Sequence, residues 1–248
     1  MRLVAIGVLG VMGIMACAGG AMALAGLEER RPTDAAASPG ASVREGRAPD
    51  ARLGDSLKLP EPVMGGRVSV EEAIQLRRSV RQFTDQQLSP AQIGQLCWAG
   101  QGITDPDSGH RAAPSAGATF PIELYVVSAR GVHHYQPAEH ALQRHLGEDV
   151  RAALQEAALG QEAVGQAPVC VVIAATVERT ARRYGQRAER YCMIEAGHVA
   201  QNILLQAAAL GLSGVPVGAY EDEKVCRVLK LPGDQKVLYL VPLGHPRK

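Results

Sequence analysis

Beyond the N-terminal quarter of the chain, apolar and polar residues follow two different periods, which together predict helices interleaved with strands. Ile93, Leu96 and Cys97 share one face of a helix that begins at Ser89-Pro90, where a proline suits the first helical turn. Residues 169–175 form an unbroken apolar, β-branched run, which is typical of a strand buried on both faces. The alternation predicts an α+β or mixed α/β chain without internal repeats.

Capping residues and shorter patterns predict the remaining elements. Ser69 followed by Glu72 forms a capping box that starts a helix reaching Arg77. The patterns also predict strands at 122–127, 131–135 and 237–243, and helices at 142–146, 150–159 and 222–229. The longest helical region covers residues 178–212 and is broken near Gly185. Its second half, from Tyr191, is apolar nearly all round, so we expect it to be buried in the core or between subunits.

The N-terminus has the pattern of an export signal over residues 1–25. Met1-Arg2 precedes a run of uncharged apolar residues that ends at Cys17. Ile14-Met15-Ala16-Cys17 resembles a lipobox with a lipidated cysteine, whereas Ala23-Leu24-Ala25 fits simple cleavage. Residues 3–27 are also long enough for an uncleaved anchor. All three alternatives predict an exported protein, either periplasmic or attached to a membrane, in the lipoprotein case through Cys17.

A linker is predicted between this signal and the folded part. Residues 26–66 are rich in proline, glycine, alanine, arginine and serine, and they contain no aromatic residue. Such a segment cannot bury enough apolar area to offset its ordering entropy. We therefore expect a flexible linker over residues 26–66 and a single folded domain over residues 67–248.

Composition excludes several classes of protein. A net charge of +1 over 248 residues and 4% aromatic content give neither the basic surface nor the stacking platforms of a nucleic-acid binder. Neither a G-x-G-x-x-G turn after a strand nor a P-loop is present, and the seven histidines lack ligand spacing. We therefore predict no metal site. Five cysteines do not make a disulfide scaffold in a chain this long, and no pairing can be inferred among Cys97, Cys170, Cys192 and Cys226.

Three short segments carry candidate chemistry. Arg77-Arg78-Ser79-Val80-Arg81 is either a solvated basic helix end or a site for phosphate and a planar ring, because arginine presents a rigid fork of donors. The run of small residues over 111–118 is either a tight loop or a place where a ligand approaches the backbone. Gly214-Val215-Pro216-Val217-Gly218 is either a simple turn or a strip of exposed backbone N–H groups.

Five motifs occur in a fixed order along the folded part. Arg-Arg-Ser-x-Arg is followed by Ala-Pro-Ser-Ala-Gly-Ala-x-x-Pro before a strand, and then by Tyr-Gly-x-Arg-x-x-Arg-Tyr before the long helix. Gly-His-x-x-Gln-Asn-x-x-Leu at Gly197–Leu205 and a terminal Pro-Leu-Gly complete the series. In this order the motifs resemble the nitroreductase family of FMN-dependent oxidoreductases, in particular its SagB/ThcOx-type branch. The resemblance covers residues 69–246.

The resemblance implies an α+β fold in which a mixed sheet is flanked by helices, with a long buried helix in the core of an intertwined homodimer. It implies two FMN sites at the subunit interface, each held by the arginine segment of one subunit and the small-residue loop of the other. Val217 and Gly218 would present backbone N–H groups near the flavin N5 and O4 atoms. The residues implied to bind FMN are Arg77, Arg78, Ser79, Arg81, Pro114, Ser115, Ala116, Gly117, Val217 and Gly218.

The chain also departs from the family pattern in three places. Ala118 stands where many members have asparagine, and the chain stops at Arg247-Lys248 without the Lys-x-Arg phosphate clamp that many members carry farther on. Members that oxidise thiazoline or oxazoline rings in peptides have a Lys-Tyr pair, which here is Arg183-Tyr184 or Arg190-Tyr191. A guanidinium stays protonated where a lysine could act as a base. The catalytic candidates besides the flavin are therefore Tyr184 and Tyr191.

Together these observations predict an exported FMN-dependent oxidoreductase that transfers a hydride or two electrons to a small electron-poor substrate, such as a nitroaromatic or a quinone. NAD(P)H or another donor would supply the electrons, and NAD(P)H would dock directly over the flavin because no separate dinucleotide domain is present. Two alternatives stay open. One is oxidation of thiazoline or oxazoline rings in a peptide natural product, and the other is a non-catalytic flavin-binding exported protein.

Overall fold

The computed structural model describes residues 56–247, in which helices and strands alternate along the chain. The strands are β1 (Ser56–Lys58), β2 (Ile103–Asp105), β3 (His110–Arg111), β4 (Ile122–Ser128), β5 (Gly131–Gln136), β6 (Ala141–Leu146), β7 (Val169–Thr176), β8 (Ser213–Gly214) and β9 (Gln235–Gly244). The helices are α1 (Val70–Leu76), α2 (Pro90–Gln101), α3 (Arg151–Ala157), α4 (Glu162–Gln166), α5 (Val177–Tyr184), α6 (Ala188–Ala209) and α7 (Asp222–Leu229). This arrangement confirms the predicted α+β class.

A seven-stranded sheet organises the fold, with strand order β1-β6-β5-β4-β7-β9-β8. All its strand pairs are antiparallel, and β2 and β3 form a separate two-stranded ribbon. The parallel element of the predicted mixed sheet is reduced to one bridge, between Ser79 and Gly214. Every residue of β7 is buried, because β7 lies between β4 and β9 with helices covering both faces of the sheet.

Alternate side chains of the central strands supply two hydrophobic cores. Leu124 and Val126 on β4 pack with α2 and α6 on one face of the sheet. Tyr125 and Val127 point to the opposite face, where α3 and α7 cover them. Because successive strand residues point to opposite faces, one strand serves both cores. This alternation is the reason that the hydrophobic pattern of the sequence predicted the central strands correctly.

One predicted helix is a strand. Residues 142–146 belong to β6, which pairs in register with β5 so that Leu142 lies opposite Tyr135. Leu142 is buried while Gln143 and Arg144 are exposed, a pattern that one turn of an amphipathic helix would also produce. A six-residue segment is too short to show its period clearly. Pairing with β5 therefore decided its conformation.

The predicted linker over residues 26–66 extends too far toward the C-terminus. Residues 56–58 form β1 and pair with β6, and Leu59 is only 2% exposed. The Gln95 side chain also holds the backbone of Val63, accepting from its N–H at 2.8 Å and donating to its carbonyl at 3.1 Å. The folded part therefore includes residues 56–66. The predicted export signal and the rest of the linker, including Cys17, lie outside the described residues.

Leu59 provides a direct test of this boundary. We expect Leu59→Ala to lower the free energy of unfolding by about 2–3 kcal/mol, because a buried leucine loses its transfer energy and leaves a cavity. Urea unfolding measures the loss. The matched control is Leu57→Ala, since Leu57 is exposed and should cost under about 1 kcal/mol. Equal stability of the two variants would contradict the assignment of this segment to the core.

The long helix α6 is buried on one side only. Val199, Ile203 and Ala207 are buried in the core that it shares with α2. Met193 and Ile194 lie on the open side, where about half of each side chain is exposed. The sequence predicts that α6 is buried on all sides, whereas within a single chain only one of its sides is buried. The open side presents apolar residues that a second surface would have to cover.

Candidate functional site

The arginine segment follows α1 directly and lies along the backbone of residue 214. Ser69 caps α1 by accepting the Glu72 N–H at 3.1 Å, which is half of the predicted capping box. After Arg77 the chain becomes extended, and Val80 N–H donates to the Gly214 carbonyl at 3.1 Å. The structure therefore brings two of the three predicted segments side by side.

The guanidinium groups of this segment have no acidic partner in the part of the chain that the structure describes. No carboxylate of residues 56–247 lies within 4 Å of Arg77, Arg78 or Arg81. Arg78 Nη1 instead donates to the backbone carbonyls of Gln75 at 2.9 Å and of Arg77 at 2.8 Å. Three cations without a counter-ion repel one another, so this surface attracts an anion.

A cavity of about 210 Å³ opens beside the first two arginines. Arg77 and Arg78 line one wall, and Leu204 and Ala208 from the end of α6 line another. Residues 211–214 complete it. Gly214 cannot carry a side chain here, because an added Cβ would lie 2.8 Å from the Pro242 carbonyl oxygen. Close packing of this backbone keeps the segment next to the arginines.

The C-terminal segment reaches the same surface. Thr84 N–H donates to the His245 carbonyl at 2.9 Å, and Arg247 N–H donates to the Gln82 carbonyl at 3.0 Å. The backbone of Arg247 is therefore bonded to the residue that follows Arg81.

The backbone of residues 217 and 218 differs from the prediction. Val217 N–H donates to the Leu240 carbonyl at 2.8 Å, and Leu240 N–H returns a bond to Val217 at 3.0 Å. The Val217 N–H is therefore unavailable to a ligand, because an antiparallel bridge to β9 uses it. Gly218 is exposed, and its N–H donates to no other described residue. Of the two predicted donors, only Gly218 is free to meet a ligand.

Residues 114–120 form a strained loop before β4. Gly117, Ala118 and Phe120 have φ angles of +60°, +53° and +45°, which are unfavourable for the two residues that carry a Cβ. Arg183 Nη1 donates to the Gly117 carbonyl at 3.0 Å, and Arg179 Nη1 donates to the Phe120 carbonyl at 3.0 Å. Two arginines of α5 thus hold the loop in this shape.

The two tyrosines named as catalytic candidates lie next to this loop. Tyr184 and Tyr191 stack edge to face with ring centres 5.0 Å apart. A Cβ added to Gly117 would lie 2.6 Å from the Tyr184 hydroxyl, so only glycine fits. Tyr191 lines a cavity of about 250 Å³ together with Pro114, Ser115, Ala116, Ile194, Glu195 and His198. The predicted loop residues 114–116 therefore face an open pocket, and Gly117 lies beside Tyr184 and Arg183 instead.

One chain does not bring the arginine segment and the small-residue loop together. The arginine cavity contacts α6 at Ala208, and the loop cavity contacts the same helix at Glu195. At a rise of 1.5 Å per residue these two positions are about 20 Å apart along the helix, and the nearest lining residues of the two cavities, Leu204 and His198, are about 9 Å apart. The two cavities share no lining residue, so one chain keeps them as separate sites.

Sequence reasoning missed a buried polar cluster behind the loop. Glu195 is 2% exposed, and burial raises the pKa of its carboxyl to about 7, although the Ser115 hydroxyl, the Arg111 guanidinium and the Gln101 amide each oppose the rise. Arg111 Nη1 donates to Gln101 Oε1 at 2.7 Å. The available signal was a single acidic residue within the long apolar run that begins at Tyr191.

The other titratable groups have structural roles. Cys97, Cys170, Cys192 and Cys226 form no disulfide, and burial raises the pKa values of Cys97 and Cys170 to about 12. His140 joins the Tyr135 hydroxyl to the Pro60 carbonyl, both at 2.9 Å. Within residues 56–247 no cluster of three or more histidine, cysteine or acidic side chains could hold a metal. No helix among the described residues has the length and hydropathy of a membrane span.

The fold and the site define a known class of protein. The model of the nitroreductase family matches residues 74–245, which include the arginine segment, the small-residue loop and the long helix. The chain belongs to this family and is an oxidoreductase of the nitroreductase type. A nitroreductase-like protein of Methanocaldococcus jannaschii, MJ1384, is 38% identical over 199 residues, which are 78% of this chain and 98% of that protein.

A second relative comes from a peptide-modifying system. The microcin B17-processing protein McbC of Escherichia coli is 27% identical over 145 residues, which are 54% of this chain and 53% of McbC. The structure of the Escherichia coli McbBCD microcin synthetase has a TM-score of 0.60 at 24% identity, covering 77% of this chain and 78% of that one. The similarity to McbC supports the predicted place near the SagB/ThcOx-type branch, and the similarity to the synthetase structure concerns the fold.

Solved structures agree on the fold. A nitroreductase of Ralstonia eutropha has a TM-score of 0.72 at 28% identity, covering 78% of this chain and 90% of that chain. The NADPH:FMN oxidoreductase of Vibrio harveyi, solved with NAD⁺, has a TM-score of 0.55 at 24% identity, covering 72% and 69% of the two chains. The second likeness concerns the fold alone.

Proposed function

We propose that this protein is an FMN-dependent oxidoreductase that transfers a hydride or two electrons to a small electron-poor substrate such as a nitroaromatic or a quinone. The observation that carries the proposal is the arginine segment, whose three cations have no acidic partner within residues 56–247 and which lies beside the backbone of Gly214. The name of the Vibrio harveyi oxidoreductase, which has the same fold, includes FMN and NADPH. We extend both to this chain as its cofactor and as a candidate electron donor.

The residues present fit this cofactor. A phosphate needs concentrated positive charge, and Arg77, Arg78 and Arg81 have no carboxylate neighbour among the described residues. A flat ring needs backbone donors and small neighbours, which the exposed Gly218 N–H and the loop residues Pro114–Ala116 supply. Small, aromatic and apolar residues make up most of the loop cavity and suit a flat aromatic surface, while Glu195 and His198 are its titratable groups.

Each group has a distinct part in binding. The arginines would hold the phosphate, with the hydroxyl of Ser79, exposed between them, directed to the ribityl chain. Gly218 N–H would orient the ring edge, since backbone donors are fixed and cost no reorganisation. FMN, when bound, supplies the redox chemistry itself. This assignment accounts for a site without a nucleophile–base pair.

We further propose that the functional unit is a homodimer. Val63, Met64, Val70, Ile74, Leu76, Met193 and Ile194 are all about half exposed or more, and α1 packs against α6. Exposed apolar residues in such number mark an interaction surface. A second copy on this surface would cover the open side of α6. It could also bring its loop to the arginine segment, which lines a separate cavity within one chain.

An exposed isoleucine tests the dimer. We expect Ile194→Glu to weaken self-association at least about tenfold, because an interface would have to bury the new charge. Sedimentation velocity over a concentration series measures it. Leu159→Glu is the control, since Leu159 is an exposed apolar residue in the turn between α3 and α4, away from α6. Equal association of both variants would contradict an interface on α6.

The absorption spectrum of the purified protein tests the proposed function. We expect a yellow protein that releases FMN on denaturation and whose flavin band bleaches under anaerobic NADPH or NADH. A nitroaromatic or a quinone should then restore the band. Protein that stays colourless after incubation with FMN would refute the flavin assignment. Bound flavin that no donor bleaches would favour the non-catalytic alternative.

The similarity to McbC supports peptide-ring oxidation as a second candidate. McbC is described as a microcin B17-processing protein, and peptide azoline oxidation is the alternative that the motifs predict. Arg183 donates to the Gly117 carbonyl and lies 5.6 Å from the Tyr184 ring centre, so it acts as a structural cation. A guanidinium cannot serve as the base of a Lys-Tyr pair. Conversion of a thiazoline peptide to a thiazole would establish this candidate instead.

A further inference from the structure

Glu195 lies in α6 at a position that the proposed flavin chemistry leaves unexplained. Its side chain is 2% exposed, it lines the cavity next to the loop, and its Oε1 atom has no hydrogen-bond partner among residues 56–247. A buried carboxylate oxygen without a partner is costly. Since buried polar groups in native proteins are nearly always paired, this one points to a specific role.

The groups around Glu195 come from three other elements. Ser115 lies in the loop, Gln101 ends α2, and Arg111 belongs to β3. The guanidinium of Arg111 already donates to Gln101 Oε1 and stacks 4.8 Å from the ring centre of Phe120. Gln101 Nε2 is itself without a partner. Glu195 therefore lies near one shared cation and two neutral polar side chains, and none of the described residues bonds to its Oε1 atom.

The remaining titratable groups near Glu195 do not pair with it. On α6 itself they are the buried thiol of Cys192, the phenol of Tyr191 and the exposed imidazole of His198, and the last two line the same cavity. Behind Arg111, Glu123 on β4 accepts from His134 and forms an ion pair with Arg179 on α5. Burial therefore acts on Glu195 most strongly, and Ser115 on the loop and Arg111 on β3 oppose it.

Ser115 connects Glu195 to the strained part of the loop. The Ser115 Oγ atom accepts the Phe120 N–H at 2.9 Å, which leaves the hydroxyl hydrogen of Ser115 free to donate. Ala118 and Phe120 both have positive φ angles between this serine and β4. Strained backbone persists only where its surroundings hold it. If the Glu195 carboxylate accepts the Ser115 hydroxyl hydrogen, this hydrogen bond helps to hold the strained loop backbone in place.

We propose that Glu195 is a positioning residue whose ionised carboxylate holds the Ser115 hydroxyl and thereby keeps the 114–120 loop in the shape that contacts the flavin. The inference rests on the proposed flavin site. A carboxylate accepts a stronger hydrogen bond than a neutral carboxyl group does. The constraint therefore strengthens as the pH rises through about 7, the pKa at which burial holds this side chain. The loop is the element that Glu195 controls.

Hydrogen exchange of the Phe120 amide tests the proposal, because this amide donates to Ser115. We compare the protection factors of wild type, Glu195→Gln and Glu178→Gln at pH 6 and pH 8. Glu178 is an exposed carboxylate on α5 and serves as the matched control. We expect Glu195→Gln to reduce protection about fivefold at pH 8 and little at pH 6, the difference between a charge-assisted and a neutral hydrogen bond.

The outcomes separate a positioning role from a purely structural one. Glu195→Gln removes a buried charge, so global stability at pH 8 should rise while Phe120 protection falls. If Glu195 were purely structural, its substitution would change the global stability and the Phe120 protection factor in the same direction. Equal protection in wild type and Glu195→Gln at both pH values would overturn the proposal. If that variant does not fold, the wild-type protection factor decides alone, because a value independent of pH would also overturn it.

FMN titration by fluorescence quenching provides the second measurement. We expect the affinity of Glu195→Gln for FMN to fall about fivefold at pH 8 relative to wild type, and to match wild type at pH 6. If wild type binds no FMN but its Phe120 protection depends on pH, the flavin site is refuted. The same result supports the role of Glu195 in the loop. Normal FMN binding with identical pH profiles in all variants would refute the role of Glu195.

Discussion

The double substitution Arg77→Ala, Arg81→Ala should weaken FMN binding by about 3–6 kcal/mol, which corresponds to at least a hundredfold rise in Kd. The reason is that each guanidinium makes charge-assisted contacts worth about 1.5–3 kcal/mol to a phosphate. Neither arginine pairs with a carboxylate in residues 56–247, so removing them leaves no unpaired acid there. Fluorescence titration of the apoprotein with FMN measures the effect.

The control for this experiment is Arg130→Ala. Arg130 is an exposed arginine in the turn between β4 and β5. Its substitution by alanine removes a positive charge of the same kind from a different surface. We expect its FMN affinity to stay within about twofold of wild type, because exposed charges beyond a Debye length are screened. An unchanged flavin content in the double variant would refute the arginine site and with it the proposed orientation of the cofactor.

The free energy of unfolding should fall by about 3 kcal/mol between pH 5 and pH 8 because of Glu195 alone. Burial raises the pKa of this carboxyl from 4.5 to about 7 in the folded protein. Between these values the folded chain keeps a proton that the unfolded chain has lost, so the stabilising contribution is present at pH 5 and disappears as the pH rises through 7. Urea unfolding at a series of pH values measures the decline.

Glu195→Gln should remove this part of the pH dependence. A glutamine is neutral throughout, so we expect the variant to match wild type near pH 5 and to exceed it by up to about 3 kcal/mol at pH 8. The control Glu178→Gln should keep the wild-type slope, because the Glu178 side chain is exposed and stays hydrated in the folded chain. A wild-type slope in Glu195→Gln would show that another group dominates.

Much of the fold could be predicted because local patterns and tertiary packing agree. The strand at 169–175 and the helix at Ser89-Pro90 both appear as expected, the second with a complete capping box. Residues 142–146 could not be assigned, since a short segment with buried and exposed pairs suits either a helix turn or a strand. Residues 56–66 lacked a pattern altogether and are ordered by partners far along the chain.

The candidate site shows the same division. The order of the motifs was enough to name the arginine segment and the small-residue loop. It did not show that Val217 N–H is used by β9, because a backbone bridge to Leu240 leaves no mark on the residues between them. Nor did it show Glu195, since an acidic residue in a helix is ordinary until tertiary packing buries it.

The amino-acid sequence by itself determined the α+β class, the family and the candidate site segments, because residue type and spacing act over short distances and survive in any context. Only the tertiary structure decided which backbone donor stays free, where the two cavities lie along α6, and which acidic side chain is buried away from water. Those properties depend on contacts between residues far apart in the chain. Burial, hydrogen-bond pairing and the raised pKa of Glu195 are consequences of those contacts.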